Sequence, residues 1–135
     1  MNDLLKNEPV KRVERALNLF NKNIKIQVLE NTAKTALDAS KSLKCEIGAI
    51  VKSLVLRKDN TFFLCLISGD KRCSLNKLKK INDVKDLSMA NATKVKEITG
   101  FTIGGVSPIG SINTLETFID QNLKRFKNLY AAAGH

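Results

Sequence analysis

Two apolar runs joined by a short polar stretch constrain the fold of this chain more than any other feature of its sequence. Residues 47–56 are apolar apart from Lys52, Ser53 and a glycine, residues 57–60 are polar, and residues 61–67 are again largely apolar. Apolar runs of this length, bounded by turn residues, are typical of paired β-strands. The sequence therefore predicts an antiparallel hairpin at the centre of the molecule.

Helical periodicity appears on both sides of this hairpin. Pro9, which suits a helix start, is followed at helical spacing by Val10, Val13, Leu17 and Phe20. Further helices are expected after a Thr32 cap, from Ser74, and over residues 88–98 with Gly100 as the C-cap residue.

Additional strands are expected at two places. Ile24, Ile26 and Val28 alternate with polar residues, and a second strand is expected around residues 115–119, before a short helix capped by Asp120. Helices interleaved with strands in this order predict an α+β fold with a mostly antiparallel or barrel-like sheet.

Lys52 is an unusual residue for a buried strand. With a period of two it shares a face with Ile50, Leu54 and Leu56, so its side chain is directed toward apolar neighbours. A lysine there is desolvated unless its ammonium group reaches a partner or a water-filled pocket. It can also snorkel, with its stem on the core and its charge in solvent. Both interpretations stay open, and Lys52 is the first candidate functional residue.

The chain is strongly basic and has almost no histidine. It contains 23 Lys+Arg against 13 Asp+Glu, which gives a net charge of +10, and its single histidine is His135. The excess favours a polyanionic partner, nucleic acid above all, although it can also serve solubility alone. Small basic clusters lie at residues 77–80 and 124–127. One histidine argues against a Ser-His-Asp triad or a His-rich metal site, so we expect neither a metal nor a cofactor.

The cysteines and the hydropathy pattern indicate the cellular compartment of the protein. Cys45, Cys65 and Cys73 are odd in number and form no C-x-x-C motif. Together with the absence of a signal peptide, this is typical of a reducing cytoplasm. No apolar run reaches the roughly 18 residues that span a membrane. We therefore expect a cytoplasmic protein with no membrane partner.

A glycine-rich stretch is the second candidate for a functional role. Residues 104–110 read Gly-Gly-Val-Ser-Pro-Ile-Gly, and consecutive glycines let backbone N–H groups approach an anion or a carbonyl oxygen. The stretch lacks the Gly-Lys-Ser/Thr ending of a P-loop. An ordinary turn has the same composition. Asp70, in the Ser-Gly-Asp sequence of residues 68–70, is likewise either an acid/base group or a turn residue.

The order of these pieces resembles that of a known family. Val-Lys-Ser-Leu-Val at 51–55, Ser-Gly-Asp at 68–70, Ala-Asn-Ala-Thr-Lys-Val at 90–95 and Thr-Gly-Phe-Thr-Ile-Gly-Gly-Val-Ser-Pro-Ile-Gly at 99–110 together resemble the YbaK/prolyl-tRNA synthetase-associated editing domain family. The similarity continues through Phe-Ile-Asp at 118–120 and Tyr-Ala-Ala-Ala-Gly-His at 130–135. It covers most of the chain from about Thr32 onward.

The resemblance implies a fold, an activity and a set of site residues. The fold is a distorted mixed β-barrel or sheet flanked by helices, and the activity is that of an aminoacyl-tRNA deacylase acting in trans. Lys52 matches the functional lysine of the family, and residues 104–108 match its G-x-x-x-P substrate loop. Asp120 matches a recurrent acidic position. We expect Lys52 to be catalytic and the following residues to bind substrate: Ser53, Gly104, Gly105, Val106, Ser107, Pro108 and Asp120.

Residues 1–135 are expected to form one editing domain. Many members of the family continue past the Ala-Gly-His segment with a further strand and helix, whereas this chain stops at His135. We expect either a naturally short member or a chain shortened at its C-terminus, and a monomer in solution.

The chemistry that the resemblance implies suits a chain with one histidine. An aminoacyl ester is already activated, so a positioned water can attack it once the charge on the carbonyl oxygen is stabilised. Lys52 and the backbone amides of residues 104–108 are expected to assist this step, and the net charge is expected to hold the acceptor end of the aminoacyl-tRNA. The expected substrate is tRNA for proline that carries a small wrong amino acid such as Ala or Cys.

Prolyl-tRNA synthetase is a second expected partner, and DNA is not expected as one. The alternative function is a non-catalytic tRNA- or synthetase-binding module of the same fold, which would bind RNA without hydrolysing the ester.

Overall fold

Helices and short strands alternate along the chain, and the computed structural model describes residues 3–30 and 33–135. The α-helices are α1 (Glu8–Phe20), α2 (Ala36–Leu43), α3 (Leu75–Asn82) and α4 (Ala92–Thr99). The strands are β1 (Ile50–Lys58), β2 (Thr61–Ser68), β3 (Leu87–Met89), β4 (Thr117–Ile119) and β5 (Tyr130–Ala131). Short 3₁₀ helices occupy Asp3–Lys6, Ile47–Ala49 and Gln121–Arg125.

One mixed sheet organises the molecule. Its strand order is β3-β1-β2-β4, and β5 also pairs with β1. The β1–β2 pair is the antiparallel hairpin that the apolar runs predict, with Lys58 opposite Thr61 across a two-residue connection. β4 and β5 pair in parallel with β2 and β1. The α+β prediction is confirmed, and within the described part of the chain the sheet stays open rather than closing into a barrel.

The two faces of the sheet carry separate hydrophobic clusters. On one face Val55 packs with Val13 of α1, Leu64, Phe101 and Val106. On the other face the cluster contains Leu56, Phe63, Leu78 of α3 and Leu87. Because neighbouring strand residues point to opposite faces, this division follows from the alternation of β1 and β2.

The helix ends follow the capping residues of the sequence. The side chain of Ser74 accepts a hydrogen bond from the backbone N–H of Lys77 at the start of α3, as predicted. Gly100 ends α4 with φ +79°, a backbone conformation that favours glycine. Asp120 caps the 3₁₀ helix Gln121–Arg125, which confirms a third prediction.

Several expectations about individual elements are wrong. Residues 24–28 form no strand, although Ile26 packs against the core. The helix expected over residues 88–98 begins only at Ala92, because Asn91 caps it and Leu87–Met89 pair with β1 instead. Phe20, expected on the apolar face of α1, is exposed.

The residue that caps α2 is not the one that the sequence predicts. Thr32 lies outside the described residues, and Thr35 is the cap of α2, since its side chain accepts from the N–H of Asp38.

No helix among the described residues is both long and apolar enough to cross a membrane.

Candidate functional site

A gap in the pairing of β1 marks the candidate site. β2 pairs with β1 along one edge from Val51 to Lys58. On the other edge β5 pairs with Ile50 and Val51, and β3 pairs with residues 56–58. The N–H of Ala90 also donates to the carbonyl of Val55. Residues 52–54 are therefore left between these partners, and among the described residues they have a strand neighbour only on the β2 side. We call residues 52–54 the β1 gap.

Lys52 is the first residue of the β1 gap. Its side chain is half-buried and shares a face with Leu54 and Leu56, as its position in the strand predicts. Its Nζ donates a hydrogen bond to the backbone carbonyl of Lys71, in the turn that follows β2. The ammonium group is therefore held at the edge of the apolar face by a main-chain acceptor.

The thiol of Cys73 lies close to this lysine. Burial raises the pKa of Cys73, and the hydrogen bond with Cys65 and the charge of Lys52 offset only part of that rise. Burial raises the pKa of Cys65 to about 12. Both side chains are therefore thiols at neutral pH and not thiolate nucleophiles.

Ser53 points to the opposite face of β1 because it is the next residue of the strand. Its Oγ atom is buried and has no hydrogen-bond partner among the described residues. A buried hydroxyl without a partner loses roughly 1–3 kcal/mol relative to a paired one.

The glycine loop, residues 104–108, packs through Val106 on the Val55 face of β1, opposite Lys52, and contacts the C-terminal segment. The N–H of Gly134 donates to the carbonyl of Gly105 across 3.1 Å. Gly134 is only three residues beyond Ala131, which pairs with Val51, and three residues span at most roughly 11 Å. The C-terminal segment thus connects the loop to the strand that carries Lys52 and Ser53.

The residues of the glycine loop differ in burial. Val106 and Ser107 are buried, and the Oγ of Ser107 accepts from the N–H of Ile109 across 3.2 Å. Pro108 is half-buried, Gly105 is buried and Gly104 is exposed. The exposed backbone at Gly104 is the part of the loop that a ligand can reach.

Asp120 lies away from the glycine loop. It follows β4, on the far side of β2, where its Oδ2 accepts from the N–H of Ser68 across 3.1 Å and its Oδ1 accepts from the N–H of Asn122 across 2.9 Å. Burial acts to raise the pKa of Asp120, but these hydrogen bonds outweigh it and lower the pKa. Both oxygens already have partners within the fold, and a role in substrate binding stays a prediction.

An ion pair that the sequence did not indicate supports the turn next to Lys52. The guanidinium of Arg125 donates to both oxygens of Asp70 across 2.8 and 3.0 Å and to the Oγ of Ser68 across 2.9 Å. The hydrogen bond from Arg125 lowers the pKa of Asp70. Asp70 is therefore a turn residue that fixes residues 68–71, including the carbonyl that receives Lys52.

Metal binding has no support in the described ranges 3–30 and 33–135. Nowhere in them do three His, Cys, Asp or Glu side chains come together in a group able to hold a metal ion.

The comparisons with known proteins agree with the motifs. The sequence profile described as "Aminoacyl-tRNA editing domain" matches residues 30–135. The chain is 28% identical over 126 residues to the uncharacterized protein YwhH of Bacillus subtilis, covering 93% of this chain and 80% of that protein. It is 29% identical over 102 residues to a proline–tRNA ligase of Caldicellulosiruptor saccharolyticus.

A solved structure shares the fold. A crystal structure whose description provisionally assigns it as a trans-editing enzyme for prolyl tRNA synthetase superposes with a TM-score of 0.89 at 33% identity, covering 95% of this chain and 82% of that one. The match to the ligase covers 76% of this chain but only 18% of the ligase. The resemblance derived from the motifs is confirmed, and the chain belongs to the aminoacyl-tRNA editing domain family.

Proposed function

We propose that this chain is an aminoacyl-tRNA deacylase that hydrolyses the ester of mischarged tRNA. Its family supports editing in general, and the relatives named above include a proline–tRNA ligase and a protein provisionally assigned as a trans-editing enzyme for prolyl tRNA synthetase. We propose tRNA for proline as the tRNA and a small amino acid such as Ala or Cys as the misplaced residue.

The β1 gap is the observation that carries this proposal. In it a half-buried ammonium group lies next to strand backbone without a second strand partner, and the buried hydroxyl of Ser53 lies on the opposite face of β1. An aminoacyl ester joined to a ribose offers a carbonyl oxygen, an amino group and a neighbouring hydroxyl to such a set. The backbone of Gly104 is exposed, and we expect its N–H to be available to the same ester.

The reaction needs one water and no covalent intermediate. The water oxygen attacks the carbonyl carbon of the ester, and the electron pair of the C=O bond moves onto the oxygen. When the C=O bond re-forms, the bond to the ribose oxygen breaks and that oxygen takes the proton that the attacking water gives up. Lys52 and the loop amides stabilise the charge that develops on the carbonyl oxygen. The products are a free amino acid and a tRNA with an intact terminal hydroxyl.

Small residues around the β1 gap support a small amino acid as substrate. Ser53, Gly104 and Ala131–Ala133 of the adjoining segment leave little side-chain bulk to contact the aminoacyl group. An apolar pocket separates substrates that differ by one methylene by only about 1–3 kcal/mol. Ala and Cys are therefore both kept as proposed substrates.

A deacylation assay tests the proposal. Purified protein is mixed with tRNAs mischarged with Ala, Cys or Ser, and release of the amino acid is followed. Lys52→Ala is expected to lower kcat/KM by about 10²–10³-fold, the usual effect of removing one group that stabilises the oxyanion. Lys52→Arg keeps the charge and is expected to retain more activity than Lys52→Ala.

The control is Lys22→Ala, which makes the same charge change at an exposed residue beyond α1. Unfolding curves of all variants establish that the fold is intact. Full turnover by folded Lys52→Ala would refute the role of Lys52. Salt-sensitive tRNA binding without deacylation of any mischarged tRNA would establish the alternative, a non-catalytic tRNA- or synthetase-binding module.

A further inference from the structure

One continuous segment carries half of the net charge of the chain. Residues 71–85, the basic segment, contain six cationic residues and a single carboxylate, Asp83, in a chain with a net charge of +10. The cationic residues are Lys71, Arg72, Lys77, Lys79, Lys80 and Lys85. The segment leads from the turn after β2 through α3 to the residue before Asp86.

The cations of the basic segment are free of ion pairs. Among the described residues, ion pairs involve Lys6, Arg15, Arg57, Lys58, Lys94 and Arg125. Asp86, just after the segment, is held by Arg57 and not by a lysine of the segment. Lys77, Lys80 and Lys85 are exposed. Their charge is therefore available to a partner.

The basic segment begins at the candidate site. Its first residue, Lys71, offers the carbonyl that accepts from Lys52. α3 packs on the sheet face of Lys52 through Leu75 and Leu78, and its eight residues extend for roughly 12 Å. Asn82, the last residue of α3, accepts from Lys58 at the other end of β1, so the basic segment runs from beside Lys52 along the length of β1.

The residue types of this surface favour one class of partner. Protein interfaces are depleted in lysine, so an acidic protein is the weaker match. Unpaired nucleic acid bases are bound by aromatic side chains, and the basic segment contains none. Double-stranded RNA is recognised through its phosphates and shape, which lysines on a helix suit.

We propose that the basic segment binds the backbone of a double-stranded RNA stem whose single-stranded end enters the β1 gap. This inference rests on the proposed function for the identity of that end. The binding of the stem itself requires no hydrolysis.

Binding of an uncharged RNA hairpin that mimics a tRNA acceptor stem tests the surface. The variant Lys77→Gln/Lys80→Gln/Lys85→Gln removes three exposed charges of the basic segment. The matched control, Lys11→Gln/Lys22→Gln/Lys25→Gln, makes the same charge change on and beyond α1, which packs against the opposite face of the sheet through Val13. Affinity is measured by fluorescence anisotropy at several salt concentrations.

The segment variant is expected to bind the hairpin at least about tenfold more weakly near 0.1 M salt, and its salt slope is expected to fall by about one per lysine. The control is expected to stay within about twofold of the wild type. Unchanged unfolding midpoints verify the fold.

Four results would overturn the inference. The first is an equal loss of hairpin affinity in the segment variant and the control variant, and the second is no hairpin binding by the wild type. The third is equal affinity of the wild type for the hairpin and for a single strand of the same length. The fourth is a segment variant that loses binding to prolyl-tRNA synthetase but keeps its RNA binding. Deacylation by the same preparations separates the two proposals. Segment-dependent binding without hydrolysis contradicts only the proposed function, and hydrolysis without segment-dependent binding contradicts only this inference.

Discussion

The two glycines that open the glycine loop differ in the space around them. A Cβ atom on Gly105 would lie 2.9 Å from the backbone N and C atoms of His135, closer than real Cβ atoms approach. A Cβ atom on Gly104 would have no neighbour within 4 Å. Packing therefore requires glycine at residue 105 and places no such demand on residue 104.

Alanine substitutions at these two residues should separate packing from function. Gly105→Ala is expected to lower the free energy of unfolding by about 1–3 kcal/mol, because the added methyl group must displace the C-terminal backbone. Gly104→Ala is expected to change it by less than about 0.5 kcal/mol. Urea unfolding measures both.

If Gly104→Ala keeps its stability but loses deacylation, residue 104 acts on the substrate. Equal destabilisation by the two substitutions would contradict the difference in packing.

At the scale of single elements, local side-chain caps define where helices begin. Asn91 has an extended backbone, and its Oδ1 accepts from the N–H of Lys94 across 2.8 Å at the start of α4. This bond satisfies one of the four N–H groups that a helix start leaves without partners. It also separates α4 from β3, so one stretch of sequence becomes two elements.

Asn91→Ala is expected to lower the free energy of unfolding by about 1 kcal/mol, the usual cost of losing a cap. The matched control is Asn76→Ala, the same substitution at an exposed residue inside α3, where alanine is the better helix former. Its expected effect is neutral to slightly stabilising. Thermal unfolding of both variants gives the comparison, and equal effects would argue against the capping role of Asn91.

At this scale the sequence predicts features that residues close together in the chain determine, and it misses features that distant residues determine. The β1–β2 hairpin and the end of α4 at Gly100 come from neighbouring residues, and both were predicted. The strand expected at residues 24–28 does not form. Alternation of apolar and polar residues predicts which side of a strand would be buried, but it does not provide a neighbouring strand to pair with. The pair of Asp70 with Arg125 joins residues 55 positions apart, which no local pattern reveals.

The candidate site was predictable to a similar extent. The types of its residues indicated Lys52, which lies in the β1 gap, and the glycine loop, which packs through Val106 on the Val55 face of β1. Their roles at one site stay a prediction. The β1 gap could not be foreseen, since it depends on how far β3 and β5 extend along that edge.

For the molecule as a whole, acid is expected to weaken the fold through its paired carboxylates. The hydrogen bond from Arg125 holds the pKa of Asp70 well below its ordinary value, and Arg57 lowers the pKa of Asp86 in the same way. Because these folded-state values lie below those of the unfolded chain, the ionised carboxylates favour the folded state above roughly pH 4. That contribution is lost as the pH falls through the folded-state values.

Asp70→Asn tests this at the whole-molecule scale. The free energy of unfolding of the wild type is expected to fall as the pH is lowered from about 5 to 2, and the variant is expected to show a shallower fall because one linked carboxylate is gone. Urea unfolding across this range measures the slope. Glu14→Gln, at an exposed residue of α1 without an ion pair among the described residues, serves as the control. Identical slopes for the wild type and Asp70→Asn would contradict the linkage.

The pairing of β5 with β1 also bears on the order in which the molecule assembles. Ile50 and Tyr130 are paired although 80 positions separate them, whereas Lys58 and Thr61 of the hairpin are almost adjacent. Closing a long loop costs more chain entropy than closing a short one, by about 0.6 kcal/mol for each doubling of length. We therefore expect the hairpin to form early and the edge beside Lys52 to be completed late. A nascent or partly folded chain would then hold the lysines that we propose contact RNA before it held a finished pocket, so that capture of RNA would precede the ability to act on it.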